Sequence, residues 1–276
     1  MAHSNTCEIY ELKQPRYYRY KSSIPFEEDT THEFKCHTNL SKDELPPWTQ
    51  IPESDKRTRN RVSKSLNAFL NSERAATVYL GISDDGRVIG LQLTIFKMDH
   101  IRFNLDDLFS RYNPTVERHR YSIEFIPVVE DDATDDEILK AVNFNPCNGV
   151  IDTQRARKHL LHTYKRCWCM ADMVARSNNG ILPPTYVVEI HIAAWDPSDT
   201  CNVNSVGHMN APSYHEDECG KVYIRQQSAS HQLSQRELYG IVRQNVNVYY
   251  SNMIRTLSEE LKQLKSKRND DIKPSK

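Results

Sequence analysis

Two carboxylates and a lysine are closely spaced near the start of the chain. If the backbone from Glu33 to Lys35 is extended, these two side chains share one face and Phe34 packs on the other, because successive side chains of a strand alternate. Glu28 is five residues before Glu33, so one straight strand would send the two carboxylates to opposite faces. A turn near residues 29–31 would bring them together, but the spacing alone does not establish that turn.

A third carboxylate, Asp84, follows a stretch with the pattern of a strand. Residues 78–82 alternate in the manner of a half-buried strand, with apolar side chains at every second position. An Asp-Gly pair comes next, and Gly86 suits a tight turn because glycine accepts positive φ without a Cβ clash. The pattern predicts a hairpin over 77–93. It places Asp84 where the strand leaves the sheet, so that the carboxylate is held rigidly and still meets solvent.

Glu28, Glu33 and Asp84 together could hold one or two divalent cations for phosphodiester cleavage, because hard cations prefer carboxylate oxygens. A bound Mg²⁺ or Mn²⁺ would stabilise charge on the phosphoryl oxygens and lower the pKa of the attacking water. Lys35 could steady the developing charge. The plain alternative is that the two glutamates are surface acids and Asp84 is a turn residue, and the spacing alone favours that alternative.

The elements that must position these residues follow from hydrophobic periodicity. A helix over 56–71 carries Val62, Leu66 and Phe69 on one stripe. Residues 130–137 have the composition of an acidic loop. The same reasoning predicts helices over 99–112, 154–174 and 234–267, and strands over 121–129, 186–194 and 222–226.

Composition indicates a soluble globular protein: 38% of the 276 residues are hydrophobic and 26% are charged. The sequence contains no apolar run near 18 residues and no apolar segment at its start, which predicts neither a membrane span nor a signal peptide. Seven cysteines without a repeated spacing indicate reduced thiols, so we expect a cytoplasmic protein. The formal net charge of −1 excludes binding of a polyanion by bulk charge alone.

Basic residues instead form local groups near tyrosines, a composition that suits the backbone and the stacked bases of a nucleic acid. An ordinary solvated surface explains any single group equally well. The candidate RNA-binding residues are Lys13, Arg16, Arg19 and Lys21 in the N-terminal group and Arg57, Arg59, Arg61 and Lys64 ahead of the first helix stripe.

Several motifs, taken in order, resemble the AlbA-like domain of the Schlafen family. They are Glu-x4-Glu-Phe-Lys at 28–35, Ala-Phe-x-Asn at 68–71 and Gly-x-x-Asp at 81–84. Val-Val-Glu-Ile at 187–190 and Tyr-Ile-Arg at 223–225 resemble the rest of that domain.

The resemblance implies an α+β fold over 24–245, with a mixed, mostly antiparallel sheet flanked by helices. A helical insertion would occupy about 130–185. A basic, tyrosine-rich arm over 1–23 precedes this domain, and a long C-terminal helix with a polar tail follows it over 246–276.

In the nuclease members of the family, three acidic residues form an RNA-cleaving site. Position by position these fall on Glu28, Glu33 and Asp84, and Lys35 matches as well. The resemblance therefore implies a metal-dependent endoribonuclease, or a catalytic subunit of one, that uses Mg²⁺ or Mn²⁺ to cleave small RNA precursors or structured RNA. Within the family, the sequence is similar to nematode Schlafen-like subunits that process the 5′ ends of piRNA precursors.

The chain departs from the family pattern in two places. Ala75 and Ala76 stand where most relatives have Gly-Gly, which would matter if the backbone there needs a glycine conformation. Vertebrate members also carry a His-x-Cys and paired-Cys zinc site, whereas residues 119–121 and 193–195 lack those cysteines, so zinc is not expected. These departures motivate the alternative of a non-catalytic RNA-binding or scaffold subunit.

The run Cys167-Trp168-Cys169, close to His159 and His162, invites a zinc interpretation. On a helix over 154–174, however, the two cysteines would lie about 200° apart and could not face one ion. We therefore expect small thiols packed in a core. The seven-residue spacing of His162 and Cys169 leaves open a shared face.

One AlbA-like copy is visible, whereas Schlafen nuclease cores resemble a horseshoe of two lobes with RNA in the cleft. The resemblance thus predicts a second lobe from another molecule. A related Schlafen-like subunit, in a heterodimer or larger complex, is favoured over a second copy because a homodimer would not need the asymmetric insertion. The C-terminal helix could dock on that partner or on its own body through a heptad seam of Tyr250, Ile254, Leu257, Leu261 and Leu264.

Overall fold

The computed structural model describes residues 16–49, 59–163, 166–196, 199, 201–202 and 213–271, with side chains described as far as residue 266. The strands are β1 Tyr18–Arg19, β2 His32–Lys35, β3 Ala76–Leu80, β4 Leu91–Gln92, β5 Tyr121–Val129, β6 Thr185–Ile192, β7 Tyr223–Gln226 and β8 Ala229–Gln232. The α-helices are α1 Val62–Leu70, α2 Ile95–Ser110, α3 Asp135–Val142, α4 Asp152–Arg155, α5 Trp168–Asn178 and α6 Gln235–Asp271.

A six-stranded mixed sheet organises the domain, in the order β1-β5-β6-β3-β2, with β4 beside one end of β6. β6 is antiparallel to β3, β4 and β5, whereas β2 runs parallel to β3 and β1 parallel to β5. β7 and β8 form a separate two-stranded sheet. This confirms the predicted α+β class with a mixed, mostly antiparallel sheet flanked by helices.

The sheet is buried on both faces. On one face, α1 and α2 cover a large core that includes Val78 and Ile190, and on the other, Phe34 and Tyr79 belong to a smaller core. Burial on both faces explains why β6 is mostly apolar between Tyr186 and Ile192, where Glu189 and His191 are the polar residues.

Helix α1 carries the predicted stripe, and all three of its apolar residues are fully buried. It begins at Val62, not at 56: residues 59–61 are not helical, and 56–58 lie outside the described residues. The amides of Val62 and Ser63 donate to the carbonyls of Asn39 and Leu40, at 3.2 and 2.8 Å. A neighbouring loop thus satisfies two of the free N–H groups of the first turn and sets where the helix begins.

The predicted hairpin over 77–93 forms only in part. The tight turn is present, with Gly86 at φ +77° and its amide donating to Ser83 O at 2.8 Å. The return strand, however, makes a single bridge to the first strand of the hairpin, Ile82 to Val88, and its continuation β4 pairs with β6. Gly81, at φ +99°, accepts two amides at its carbonyl and redirects the chain, so Ile82 joins the smaller core together with Tyr79.

The predicted helix over 154–174 is wrong, and the predicted acidic loop over 130–137 is correct only as far as residue 134. Helix α3 occupies part of that loop, and its first turn is capped reciprocally by Thr134 and Glu137. α4 ends at Arg155, and α5 begins only at Trp168, after an extended Cys167. The indole of Trp168 donates to Lys158 O at 3.1 Å, one of the side-chain contacts that hold the intervening chain out of a helix.

Helix α6 forms where the sequence predicts the C-terminal helix. Ser234 and Glu237 make the predicted capping box: Ser234 N donates to Glu237 Oε2 at 2.8 Å and Glu237 N to Ser234 Oγ at 3.3 Å. The seam does not pack on the described body, since Leu257 and Leu264 are 56% and 63% exposed. No helix among the described residues is both long and apolar enough to cross a membrane.

Candidate active site

The turn before β2 is closed by one aspartate. Asp29 Oδ1 accepts the backbone amides of Thr31 and His32 at 2.6 and 2.8 Å. Desolvation alone would raise the pKa of Asp29, but these hydrogen bonds prevail and hold it at about 2. This is the reversal needed near 29–31, and it brings Glu28 and Glu33 to one place.

Lys35 is the point at which the two glutamates converge. Its Nζ lies 2.5 Å from Glu33 Oε1 and 3.9 Å from Glu28 Oε1. Glu28 Oε1 also accepts the amide of Phe34 at 2.8 Å, while the Phe34 ring packs into the smaller core on the opposite face. Burial raises the pKa of Glu28, and the neighbouring charge of Glu33 raises it further.

Glu33 is held from three directions. Ser65 Oγ on α1 donates to Oε1 at 2.9 Å, and Arg225 on β7 pairs with Oε2. Arg225 also donates to the carbonyls of Asp29 and His32, at 2.8 and 3.1 Å, and its side chain is only 1% exposed. The sequence analysis used this arginine only as a family motif. Nothing local in the sequence signals that it supports the acidic turn from 192 residues away.

Asp84 is exposed and shares a cavity of about 480 Å³ with Lys35. The other residues that line this cavity are Cys36, His37, Arg59, Asn60, Ser83 and Asp85. Cys36 Sγ donates to Ile82 O at 3.3 Å, which ties the end of β2 to the strand exit that carries Asp84.

His37 is a cavity residue that the sequence analysis did not identify. Burial lowers the pKa of His37 to about 4, and the nearby charges of Lys35 and Arg59 act in the same direction. The imidazole is therefore neutral at pH 7, and its Nδ1 accepts the amide of Asn39 at 3.2 Å.

The three carboxylates differ in their fitness as metal ligands. Asp84 is exposed, and the protein contacts of Glu28 among the described residues use Oε1, which leaves Oε2 available. Both oxygens of Glu33 are instead engaged by Lys35, Ser65 and Arg225, so a metal contact there would require one of these donors to move. Independently of these contacts, the trio is not among the groups of described residues whose ligand atoms come within 4.8 Å of one another, and neither glutamate is among the residues that line the Asp84 cavity.

The residues of the second basic group lie in different surroundings. Arg59 lines the cavity of Asp84, whereas Arg61 pairs with both Asp217 and Glu218 and is largely buried. Lys64 lies over the Tyr223 ring, 5.5 Å from its centroid. Arg57 lies outside the described residues.

Part of the N-terminal basic group already contacts residues in or next to the sheet. Arg16 Nη2 donates to both oxygens of the buried Glu189 at 2.7 Å. Arg19 donates to Asp131 O at 2.6 Å, and Lys21 lies 5.1 Å from the centroid of the Tyr20 ring. Lys13 lies outside the described residues.

The alanine pair that replaces Gly-Gly causes no backbone strain. Ala76 begins β3 and is buried, and neither Ala75 nor Ala76 has positive φ. A conformation that requires glycine is therefore not needed at these positions.

The sheet, with its acidic turn leading into β2, defines an AlbA-like α+β domain. Residues 28–234 match the family model described as Schlafen, AlbA_2, which covers well over half of the chain. The protein belongs to this Schlafen family, as the motifs predicted. A search of curated proteins finds no significant match.

Proposed function

We propose that this chain is a metal-dependent endoribonuclease, or the catalytic subunit of one, acting at Glu28, Glu33, Lys35 and Asp84. The observation that supports it most strongly is the position of Lys35. Its ammonium lies between two carboxylates and lines the same cavity as Asp84. Membership of the Schlafen AlbA_2 family is consistent with a nuclease or another RNA-related role.

In this proposal, Glu28 and Asp84 would bind Mg²⁺ or Mn²⁺. Glu33 would pair with Lys35, and it would bind the metal only if Lys35, Ser65 or Arg225 moved away from its carboxylate. The bound ion would supply charge stabilisation and a more acidic water. Lys35 and Arg59 are cations at the cavity wall, placed to contact the oxygens of a phosphodiester. Arg225 fixes the turn through Glu33 and two backbone carbonyls, so it acts as a positioning residue.

The proposed substrate is RNA, either a small RNA precursor such as a piRNA precursor cut near its 5′ end, or a structured RNA. Arg59 and Lys64 remain the best-placed phosphate contacts of the second basic group. Lys13, Arg19, Lys21 and Arg57 stay in the proposal as outer contacts, and Arg16 and Arg61 would contribute only if they leave their carboxylate partners.

We further propose that α6 recruits a related Schlafen-like subunit that supplies the second lobe. The seam is exposed on the described body, so docking on a partner helix accounts for it better than internal packing does. A related subunit is favoured over a second copy because a homodimer would not need the asymmetric insertion.

The second candidate function is a non-catalytic RNA-binding or scaffold subunit. It is favoured by one observation: three donors already occupy Glu33, the most buried of the three carboxylates. Such a protein would bind RNA with an affinity that falls as salt rises, and it would leave the RNA intact.

The deciding experiment is cleavage of a labelled RNA panel by pure protein, alone and with candidate Schlafen-like partners, in Mg²⁺, Mn²⁺ or EDTA. Cleavage should be lost in EDTA and in Glu28→Gln, Glu33→Gln and Asp84→Asn. Glu27→Gln, which removes an exposed carboxylate next to Glu28, and Asp132→Asn, which removes an exposed carboxylate outside the cavity, are the matched controls and should cleave normally. Cleavage that persists in all three site variants would refute the catalytic proposal, and salt-sensitive binding without cleavage would favour the second candidate.

A further inference from the structure

Four side chains with metal-binding chemistry meet beneath the insertion. His100 comes from α2, His159 from the segment after α4, and Cys167 and Cys169 from the start of α5. All four are buried, and their ligand atoms all lie within 4.8 Å of one another. We propose that they bind one structural zinc ion, independently of the proposed nuclease activity.

The spacing of the ligand atoms agrees with tetrahedral zinc. Cys167 Sγ lies 3.4 Å from His159 Nδ1, and Cys169 Sγ lies 3.5 Å from His100 Nδ1. Zinc–nitrogen bonds of about 2.0–2.1 Å and zinc–sulfur bonds of about 2.3 Å place neighbouring nitrogen and sulfur ligands roughly 3.6 Å apart. The cluster therefore needs little rearrangement to enclose an ion.

The break between α4 and α5 is what makes the cluster possible. On a continuous helix the two thiols would diverge by about 200°. Cys167 is instead extended, with φ −70° and ψ 141°, and Cys169 is the second residue of α5. The two cysteines therefore reach the same point, and His159, not His162, supplies the imidazole from the insertion.

The surroundings of the cluster complete the site. Glu44 Oε1 lies 3.8 Å from His100 Nε2, and both residues are buried. A carboxylate behind a metal-bound imidazole fixes the orientation of the ring. His159 Nε2 is buried without a hydrogen-bond partner among the described residues, and the ring lies 5.0 Å from that of Trp168. An ion bound at Nδ1 would give the buried ring a stronger partner than the Cys167 thiol that Nδ1 contacts at 3.4 Å, and it would leave Nε2 as it is.

The donor set selects the ion. Two sulfurs and two imidazole nitrogens suit zinc, and they do not suit Mg²⁺ or Ca²⁺, which prefer oxygen. Two thiolates also balance the charge of Zn²⁺, so the complex would be neutral, as a buried site requires. These residues differ from those of the vertebrate Schlafen zinc pattern, which corresponds to residues 119–121 and 193–195.

The ion would join the insertion to the core. His100 belongs to the helix that covers the sheet, and the other three ligands belong to the segment that follows α4. His100 and Cys167 also line a cavity of about 580 Å³ together with His37 and Arg59, which line the Asp84 cavity as well. Zinc would thus stabilise a wall next to the candidate active site.

The test is metal analysis of the full chain purified without chelators after zinc-supplemented expression. Wild type should carry about one zinc per chain, and Cys169→Ser and His100→Gln should each lose at least nine-tenths of it. His162→Gln, in the same insertion, and Cys219→Ser, an exposed thiol, are the matched controls and should retain zinc.

Cobalt binding provides a second measurement, which uses wild-type protein and therefore does not require that any variant folds. Co²⁺ added to chelator-stripped wild type should give the absorption of a tetrahedral site with thiolate ligands, and zinc should abolish it at one equivalent. Wild type that carries no zinc and shows no such absorption would overturn the proposal. So would full zinc retention in both folded ligand variants.

Discussion

Arg225→Met removes the guanidinium that lies beneath the acidic turn. In the wild type this group pairs with Glu33 and donates to the carbonyls of Asp29 and His32. It also lies 5.0 Å from the centroid of the Phe69 ring. The methionine keeps much of the apolar contact and removes all of the charge, so the variant isolates the electrostatic contribution of the arginine.

The expected cost follows from burial. Breaking a buried ion pair by removing one partner costs about 3–5 kcal/mol, because the remaining charge is left uncompensated. Glu33 keeps Lys35 and Ser65 as partners, which places the expectation near the lower end, at about 3 kcal/mol. For a domain of this size, each kcal/mol corresponds to roughly 2–4 °C, so the melting temperature should fall by about 6–12 °C.

Urea and thermal unfolding measure this cost directly. Arg236→Met, on the exposed surface of α6, is the control and should leave stability unchanged. The double variant Arg225→Met with Glu33→Gln should be more stable than the sum of the two single effects predicts, because the uncharged amide no longer needs a cation. A loss below about 1 kcal/mol in Arg225→Met, or strict additivity in the double variant, would refute the reasoning.

Three further perturbations test other parts of the molecule. Burial raises the pKa of Glu189, but hydrogen bonds from His191, Tyr18 and Arg16 outweigh that effect and hold this pKa at about 2, against an ordinary value of 4.5. The stabilising contribution of Glu189 should therefore be complete above pH 4.5 and lost as pH falls towards 2. The free energies of unfolding of wild type and Glu189→Gln should converge over that range, and a constant difference would contradict this. Gly90→Ala would set a Cβ 2.3 Å from Thr185 Cγ2, at a position with φ +71°. It should therefore lower the melting temperature more than Gly180→Ala, where φ is +73° and a Cβ would meet open space. Equal losses in thermal unfolding would contradict the packing argument. Leu257→Glu on the seam should abolish association with a Schlafen-like partner in light scattering while the melting temperature of the isolated chain stays unchanged, and retained association would exclude the seam.

Local sequence patterns determined much of this protein. Alternation at 121–129 placed β5 with the correct ends, the Asp-Gly pair placed the turn at Gly86, and the apolar stripe placed α1. Ser234 and Glu237 marked the start of α6. These features depend on backbone preferences and on neighbours within one or two turns, which the sequence encodes locally.

Contacts between distant residues required the tertiary structure. The same residues that predict a hairpin over 77–93 pair mainly with β6, a longer and more apolar strand that is distant in the sequence. Arg225 reaches Glu33 across 192 residues, and no spacing rule relates them.

The segment after α4 shows the same limit most clearly. Its apolar period indicated one continuous helix, in which Cys167 and Cys169 would point apart. In the structure that helix is interrupted, Trp168 packs on Phe96 and His159 on His100, both of α2, and the two thiols lie close to His100. The sequence determined which metal-binding side chains the chain possesses. Only the packing of the insertion on α2 decided that four of them meet. The contacts of the His159 and Trp168 rings outweigh a weak local preference for helix.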